Sequence, residues 1–230
     1  MTSLTGKSLR ALHRTISRGE EEPEQEYEVP SSGGETIALS RDRVEIMRLL
    51  STAFISGIHE QAIIAAVALT EAYLQRTLKT VLRWFPQKLK QNISGERTDK
   101  TVSLDVILSS KNRNQIVSKI INKQLQGIFY GAPSRYFEYI EAVLSIELPA
   151  TLKEKFIEIK ATRDLIVHNS GKVNETYLEK AGKLARGENG EKLPMDAVYF
   201  AGTVANLKKL VIVLDKQVLG KYGNAAIPTK

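Results

Sequence analysis

The search for a general acid or base in this chain is short, because the sequence holds three histidines and no cysteine. Solvation or helix capping explains two of the histidines. His168 differs, because it follows Arg163 and Asp164 and directly precedes Asn169 in one short run. Histidine exchanges protons near neutral pH, so this run is a candidate for acid–base chemistry.

The spacing of the run limits how its side chains can act together. On a helix, Asp164 and His168 are four residues apart, so the carboxylate can orient the imidazole. Arg163 and His168 are five residues apart, which is about 140° around a helix. Convergence of these two therefore needs the full length of the arginine side chain, an unwound last turn or a second copy of the helix.

Arg163 also interrupts an apolar seam of the same helix. A structural alternative is a simple Arg163–Asp164 pair with an incidental histidine at a helix end. The seam position of Arg163 and the polar residues after His168 favour a functional interpretation, and both interpretations stay open. The seam consists of Leu152, Phe156, Ile159 and Ile166.

The helix that carries these residues has a predicted start and a predicted end. Thr151 and Glu154 have the spacing of a capping box, which predicts the start. Asn169, Ser170 and Gly171 favour a left-handed turn, which predicts the end.

Hydrophobic periodicity predicts helices along most of the chain, and no segment shows sustained period-two alternation. We therefore expect an all-α bundle of six to eight helices. The predicted helices cover residues 41–57, 59–84, 103–108, 114–129, 134–146 (capped by Ser134), 151–168, 175–181 and 196–219.

The length of 230 residues and 42% apolar content suit one sizeable domain with flexible ends. We predict a charged arm over residues 1–36, with Glu20–Gly34 as linker, a helical domain over 37–222 and a tail over 223–230. The absence of cysteine excludes disulfides and thiol nucleophiles and favours a cytoplasmic location. The longest apolar run, Ala62–Leu69, is too short to span a bilayer, so no membrane partner is expected.

The predicted domain carries a larger positive charge than the whole chain, whose net charge is +7. Residues 37–230 hold 29 basic and 19 acidic residues, about +10, which favours a polyanionic partner. No compact cluster of Asp, Glu and His has metal-ligand spacing, so neither a metal nor another cofactor is predicted.

Further candidate residues lie outside the short run. A basic stretch near several aromatic residues could contact phosphates, although a solvated helix face has the same pattern. Glu71, within an apolar helix, could line a cleft or pair with a core arginine. The basic stretch contains Lys111, Arg113, Lys119 and Lys123.

The segment Arg163-Asp-Leu-Ile-Val-His168 resembles the R-x4-6-H signature of HEPN domains (higher eukaryote and prokaryote nucleotide-binding), and the run on to Asn174 looks like their ribonuclease branch. The helix with Ala68-Leu-Thr-Glu-Ala-Tyr-Leu74 is similar to the early core helix of the family. The resemblance covers residues 41–219, most closely near 150–180.

The resemblance implies an all-α domain that forms a homodimer with two motifs in one basic cleft. It implies metal-free RNA cleavage, in which the 2′-hydroxyl attacks the adjacent phosphate. His168 would act as general acid or base, and Arg163 would bind the scissile phosphate. Asp164 would orient either residue, and Asn169 would donate to the phosphate or cap the helix. Lys172, in the following turn, is a further RNA-binding candidate.

By analogy with the family, such a nuclease would be a toxin or an antiviral defence effector, with an antitoxin or defence-system protein as its partner. One alternative is a HEPN-fold dimer without activity that binds RNA, a nucleotide or a protein. Another is an unrelated helical adaptor in which the motif is accidental.

Overall fold

The computed structural model describes residues 25–30, 35–41, 43–91 and 101–223. Helices dominate these residues, and the prediction of a bundle of six to eight helices is confirmed. The strands are β1 (Gln25–Pro30) and β2 (Thr36–Arg41), and the helices are α1 (Arg43–Trp84), α2 (Leu104–Leu108), α3 (Arg113–Phe129), α4 (Pro133–Leu144), α5 (Ala150–Asn169), α6 (Glu175–Ala181) and α7 (Ala197–Tyr222). Two short 3-10 helices cover Pro86–Lys90 and Gly182–Leu184.

The chain divides into two compact units, residues 1–58 and residues 59–230, whereas the sequence analysis set its boundary after residue 36. The first unit contains an antiparallel hairpin of β1 and β2. The second unit contains α2 to α7 together with residues 59–84 of α1.

The hairpin corrects the prediction that Glu20–Gly34 is linker throughout. Its register pairs Tyr27 with Leu39 and Val29 with Ile37, so the few apolar positions of the two strands oppose one another. The alternation is too short to stand out in a sequence rich in glutamate. Residues 1–24 and 224–230, which include most of the predicted arm and the tail, lie outside the described residues.

One continuous helix, α1, replaces the two helices predicted around Gly57. A glycine inside a helix costs only about 1 kcal/mol relative to alanine. No neighbouring atom lies within 4 Å of the position that a Cβ at Gly57 would take, so no close packing requires a break there. Trp84 ends the helix before Pro86, as predicted.

The predicted caps of two helices are wrong. Helix α5 starts after Pro149, which has φ −55° and no side-chain cap, so Thr151 lies inside the first turn. Helix α4 likewise starts at Pro133, and Ser134 is not its cap. Proline fixes φ near the helical value and is favoured at or beside the first helical residue, which outweighs a Ser or Thr one or two positions later.

The core of the second unit consists of two clusters that meet along α5. The larger cluster joins α1, α3, α4, α5 and α7 and includes a group of aromatic rings in which Phe137 and Phe156 are edge to face at 5.3 Å. The smaller cluster joins the second half of α5 to α6 and to the loop before α7, through Leu165, Tyr177 and Leu193. Helix α5 is therefore enclosed along most of its length.

Helices α1 and α7 lie side by side and run parallel. His59 stacks on Phe200 at 5.4 Å, and further along Tyr73 donates a hydrogen bond to Asp215. By length and composition α7 could cross a membrane, the one such helix in the described ranges. However, three of its leucines, Leu207, Leu210 and Leu214, are buried in the bundle. A core helix of a soluble protein has the same composition, so this is weak evidence for a membrane span.

Candidate functional site

The end of α5 forms the turn that the sequence predicted. Ser170 and Gly171 have φ of 52° and 75°, and the N–H of Gly171 donates to the carbonyl of Leu165 at 2.9 Å. This closes the helix with a left-handed turn directly after His168 and Asn169. The histidine is therefore presented in the last turn of a helix that the core holds in place.

Arg163 is partly buried and paired with two carboxylates. Its Nη2 lies 3.3 Å from Oε2 of Glu71 on α1, and its Nη1 lies 3.1 Å from Oδ1 of Asp164. The guanidinium at an apolar seam thus has the buried acid that such a position requires. Of the two roles left open for Glu71, the structure shows the pairing with a core arginine.

Glu71 also receives a second cation. Nζ of Lys160 lies 2.5 Å from Oε1 of Glu71, and both side chains are less than 15% exposed. On the outer side of the cluster, Asp164 Oδ2 lies 3.5 Å from Nζ of Lys180 on α6. The paired charges of Glu71, Lys160, Arg163, Asp164 and Lys180 form what we call the Arg163 cluster.

Two buried donors beside this cluster make no hydrogen bond within the described part of the chain. They are Nε of Arg163 and the hydroxyl of Tyr136. Burial raises the pKa of Tyr136 far above its usual value, and the negative charge of Glu71 raises it further. A buried unpaired donor costs about 1–3 kcal/mol, so this part of the core holds polar groups at a cost to stability.

His168 is exposed and makes no side-chain hydrogen bond to any described residue. The carboxylate of Asp164, expected to orient the imidazole, instead contacts Arg163 and Lys180. The ion pairs with Arg163 and Lys180 occupy the carboxylate of Asp164, so this carboxylate does not orient the imidazole of His168. The imidazole is therefore free to meet a ligand or a partner chain.

The two residues proposed beside His168 have different surroundings. The side-chain amide of Asn169 donates to the carbonyl of Lys172 at 2.6 Å, so it stabilises the turn that follows α5. The side chain of Lys172 is exposed, and its backbone forms an antiparallel bridge with Lys192. Two lysines thus flank the turn that follows His168.

The predicted basic stretch lies on α3 and the loop before it, apart from the Arg163 cluster. Lys119 donates to the carbonyl and hydroxyl of Ser109 at 3.0 and 2.8 Å, which places it against the α2–α3 loop. Lys119 and Lys123 line a cavity of about 760 Å³. Lys111 and Arg113 are exposed near the start of α3. In the described residues no hydrogen bond or ion pair joins these four to Arg163 or His168.

A buried network around Glu158 was missed by the sequence analysis. Its carboxylate, 7% exposed, accepts hydrogen bonds from Thr162, Tyr177, Tyr199 and Nε of Arg186 at 2.8 to 3.1 Å. The Arg186 guanidinium also lies 3.4 Å from the centre of the Tyr199 ring. The only sequence signal was an acid flanked by two isoleucines within the apolar seam.

The Glu158 network changes the pKa of two of its tyrosines. Burial raises the pKa of Tyr177 and of Tyr199, and the neighbouring charge of Glu158 raises both further. The network joins α5 to α6 and to the start of α7, so it fixes the position of the helix that carries His168.

Helix α5 offers little surface for the predicted dimer interface. Its exposed residues are Ala150, Thr151, Lys155, Val167 and His168. No group of three or more His, Asp or Glu side chains that could hold a metal ion occurs among the described residues. Comparison with family models, curated proteins and solved structures gives no match.

Proposed function

We propose that this chain is a metal-independent endoribonuclease of the HEPN type, acting in the cytoplasm as a toxin or antiviral defence effector. One observation carries the proposal: a fixed Arg163 and an exposed, unengaged His168 lie five residues apart on the same core helix. A phosphate-binding cation works best when it is held in place, and an acid–base group must reach its substrate. The absence of cysteine is consistent with a reducing compartment.

The proposed reaction is an attack of the ribose 2′-hydroxyl on the adjacent phosphorus. A new O2′–P bond forms and the P–O5′ bond breaks, which leaves a 2′,3′-cyclic phosphate and a free 5′-hydroxyl. The proton of the 2′-hydroxyl passes to a base, and the departing 5′-oxygen takes a proton from an acid. Two copies of His168 in a dimer could serve these two tasks, and Arg163 would stabilise the charge on the phosphoryl oxygens.

Exposed apolar residues on α7 support a pairing of two chains. Val198, Ala205, Ile212 and Leu219 recur every seven residues, and all four are exposed. A seven-residue apolar repeat is typical of a helix that packs against another helix. A dimer through this stripe, which we call the α7 stripe, needs little of the enclosed surface of α5.

A second candidate function is RNA binding without cleavage. It is favoured by the pairing of Arg163 with Glu71 and Asp164, which already neutralises the guanidinium. Lys160, on the same helix, is also bound to Glu71. In this case Arg163 is structural, and the exposed cations of the chain hold the RNA.

An RNA digestion in excess EDTA with analysis of the product ends tests both candidates. We expect 2′,3′-cyclic phosphate ends and at least about a hundredfold slower cleavage by His168→Ala and by Arg163→Ala. Matched controls are Val167→Ala, exposed beside His168, and Lys155→Ala, an exposed cation of α5. Both controls should cleave at the wild-type rate.

The outcomes separate the candidates. Cleavage by purified His168→Ala at the wild-type rate, or an absolute need for magnesium, contradicts the nuclease proposal. RNA binding by a wild-type chain that cleaves nothing assigns the second function. Circular dichroism of each variant shows whether the fold survives, which we expect for His168→Ala because its side chain makes no hydrogen bond in the described region.

A further inference from the structure

A basic groove lies between the second half of α1 and the second half of α3. Its volume is about 740 Å³, and we call it the α1–α3 groove. The residues used below are Arg76, Lys79 and Arg83 from α1, and Asn122, Gln126 and Tyr130 from α3 and its end. None of these residues was predicted from the sequence to bind phosphate.

Among the described residues, no carboxylate neutralises the cations of the groove. No described acidic residue lines it, and none of the three cations forms an ion pair with another described residue. The sequence contains no Asp or Glu between Glu71 and Glu96, or between Asp105 and Glu138. In the Arg163 cluster, by contrast, every cation faces a carboxylate. The groove therefore concentrates positive potential that an anionic ligand can neutralise.

The spacing of these cations matches a linear polyanion. Arg76, Lys79 and Arg83 follow one another at three and four residues on one face of α1. At 1.5 Å per residue the outer two are about 10 Å apart along the axis, which is the length of about three stacked nucleotides. A single small anion would need converging cations, whereas these lie in a row.

An aromatic ring and amides accompany the row of cations. The Tyr130 side chain is 87% exposed at the end of α3, so its face is open to a flat ligand. Phe129 lies beside it and stacks on Tyr136 at 4.9 Å, which holds this end of the helix rigid. Asn122 and Gln126 offer both donors and acceptors, as the edges of unpaired bases require.

We propose that the α1–α3 groove binds single-stranded RNA, with phosphates on Arg76, Lys79 and Arg83 and a base stacked on Tyr130. Cations in a row, stacking surfaces and amides are the combination that binds single strands without strong sequence preference. A volume near 740 Å³ admits a few nucleotides but no duplex. The inference rests on the proposed function only in taking RNA as the ligand.

The groove also adjoins the Arg163 cluster. Ala72 lines the groove and follows Glu71 in the chain. Phe129 lines it as well, and its stacking partner Tyr136 lies next to Glu71. Helix α1 therefore contributes residues both to the groove and to the Arg163 cluster.

Binding of a strand that cannot be cleaved tests the groove independently of nuclease activity. The probe is a fluorescent 2′-O-methyl oligouridine of about 12 nucleotides, which has no free 2′-hydroxyl to attack the phosphate, measured by anisotropy with the full chain in EDTA at several salt concentrations. The main variant is Arg76→Ala/Arg83→Ala, and the matched control is Lys208→Ala/Lys209→Ala, which removes two exposed cations of α7.

We expect the groove variant to raise Kd at least about tenfold and to reduce the slope of log K against log salt by roughly 1.4, because two phosphate contacts are lost. The control should stay within about twofold of wild type. Tyr130→Ala should weaken binding about fivefold or more, whereas Tyr130→Phe, which keeps the ring, should change it little. All five substituted positions are exposed, so the variants should fold.

Unchanged affinity of the groove variant, or an equal loss in the control, overturns the proposal. Tight binding to phosphatidylglycerol vesicles that the oligonucleotide does not displace would assign the groove to a membrane surface and overturn it as well. A wild-type chain that cleaves no RNA but shows the expected pattern of binding would remove the nuclease function and leave the groove as an RNA site.

Discussion

Replacing Glu158 by alanine should destabilise the second unit more than any other single loss of a charged side chain on α5. The carboxylate is nearly enclosed and accepts hydrogen bonds from three hydroxyls and from Arg186, which is 22% exposed. Alanine leaves the three hydroxyls and Nε of Arg186 without the acceptor that they share. The same change removes the charge that balances the guanidinium.

The magnitude follows from the geometry of the network. Removing one partner of a buried ion pair costs about 3–5 kcal/mol, because the other charge stays buried and unpaired. Arg186 keeps a hydrogen bond to the carbonyl of Pro194, so we expect about 4 kcal/mol. Glu158→Gln keeps an oxygen acceptor and loses only the charge, so about half of that cost is expected.

The free energy of unfolding, measured by urea denaturation and circular dichroism, checks this prediction. A loss of about 4 kcal/mol lowers the urea midpoint by roughly 2 M at a typical slope of denaturation. The matched control is Glu154→Ala, one turn earlier on the same helix. Its pair with Lys183 is 3.2 Å long but 42% and 76% exposed, so the expected change is below about 0.5 kcal/mol.

Two results would refute this reasoning. One is a loss below about 1 kcal/mol for Glu158→Ala, which would mean that water or rearranged side chains satisfy the network. The other is an equal loss for Glu154→Ala, which would mean that α5 is sensitive to charge rather than to the buried contacts.

Three further predictions follow from the same structure. Burial raises the pKa of Tyr199, so the folded protein keeps this proton at a pH near 10, where an unfolded tyrosine loses it, and stability should fall as the pH rises above about 10. Tyr199→Phe should weaken that fall, and an equally steep fall in this variant would contradict the prediction. Glu71→Gln should slow RNA cleavage about tenfold or more by loosening Arg163, and unchanged cleavage with an intact fold would show that Glu71 does not position it. Light scattering at micromolar concentration should give a dimer that Ile212→Asp/Leu219→Asp converts to a monomer, whereas a monomeric wild type would remove the pairing proposal.

The end of α5 could be predicted from the sequence, whereas its start could not. The conformations at Ser170 and Gly171 depend on residue type alone, and glycine adopts positive φ without strain. At the start, Thr151 and Glu154 match a local motif, but Pro149, two residues before Thr151, already caps the helix. Where two local signals compete, the fixed φ of proline decides.

The partners of Arg163 show why the site could be predicted only in part. Asp164 is adjacent in the chain, and its pairing was foreseen as an alternative. Glu71 is 92 residues away, and it was noted only as a possible cleft residue or partner of a core arginine. Its contact depends on how α1 packs against α5, which no local pattern contains. The Glu158 network depends in the same way on residues from three separate elements.

The parallel packing of α1 and α7 has a consequence for biosynthesis. The contact between His59 and Met195 joins residues 136 positions apart, and that between Tyr73 and Asp215 joins residues 142 apart. At a translation rate of about 5–20 residues per second, α1 leaves the ribosome roughly 10–30 seconds before its neighbour is made. During that interval α3 to α5 can already cover part of its apolar face. The bundle closes only when the last helix emerges, so chains truncated before residue 197 should aggregate or require a chaperone.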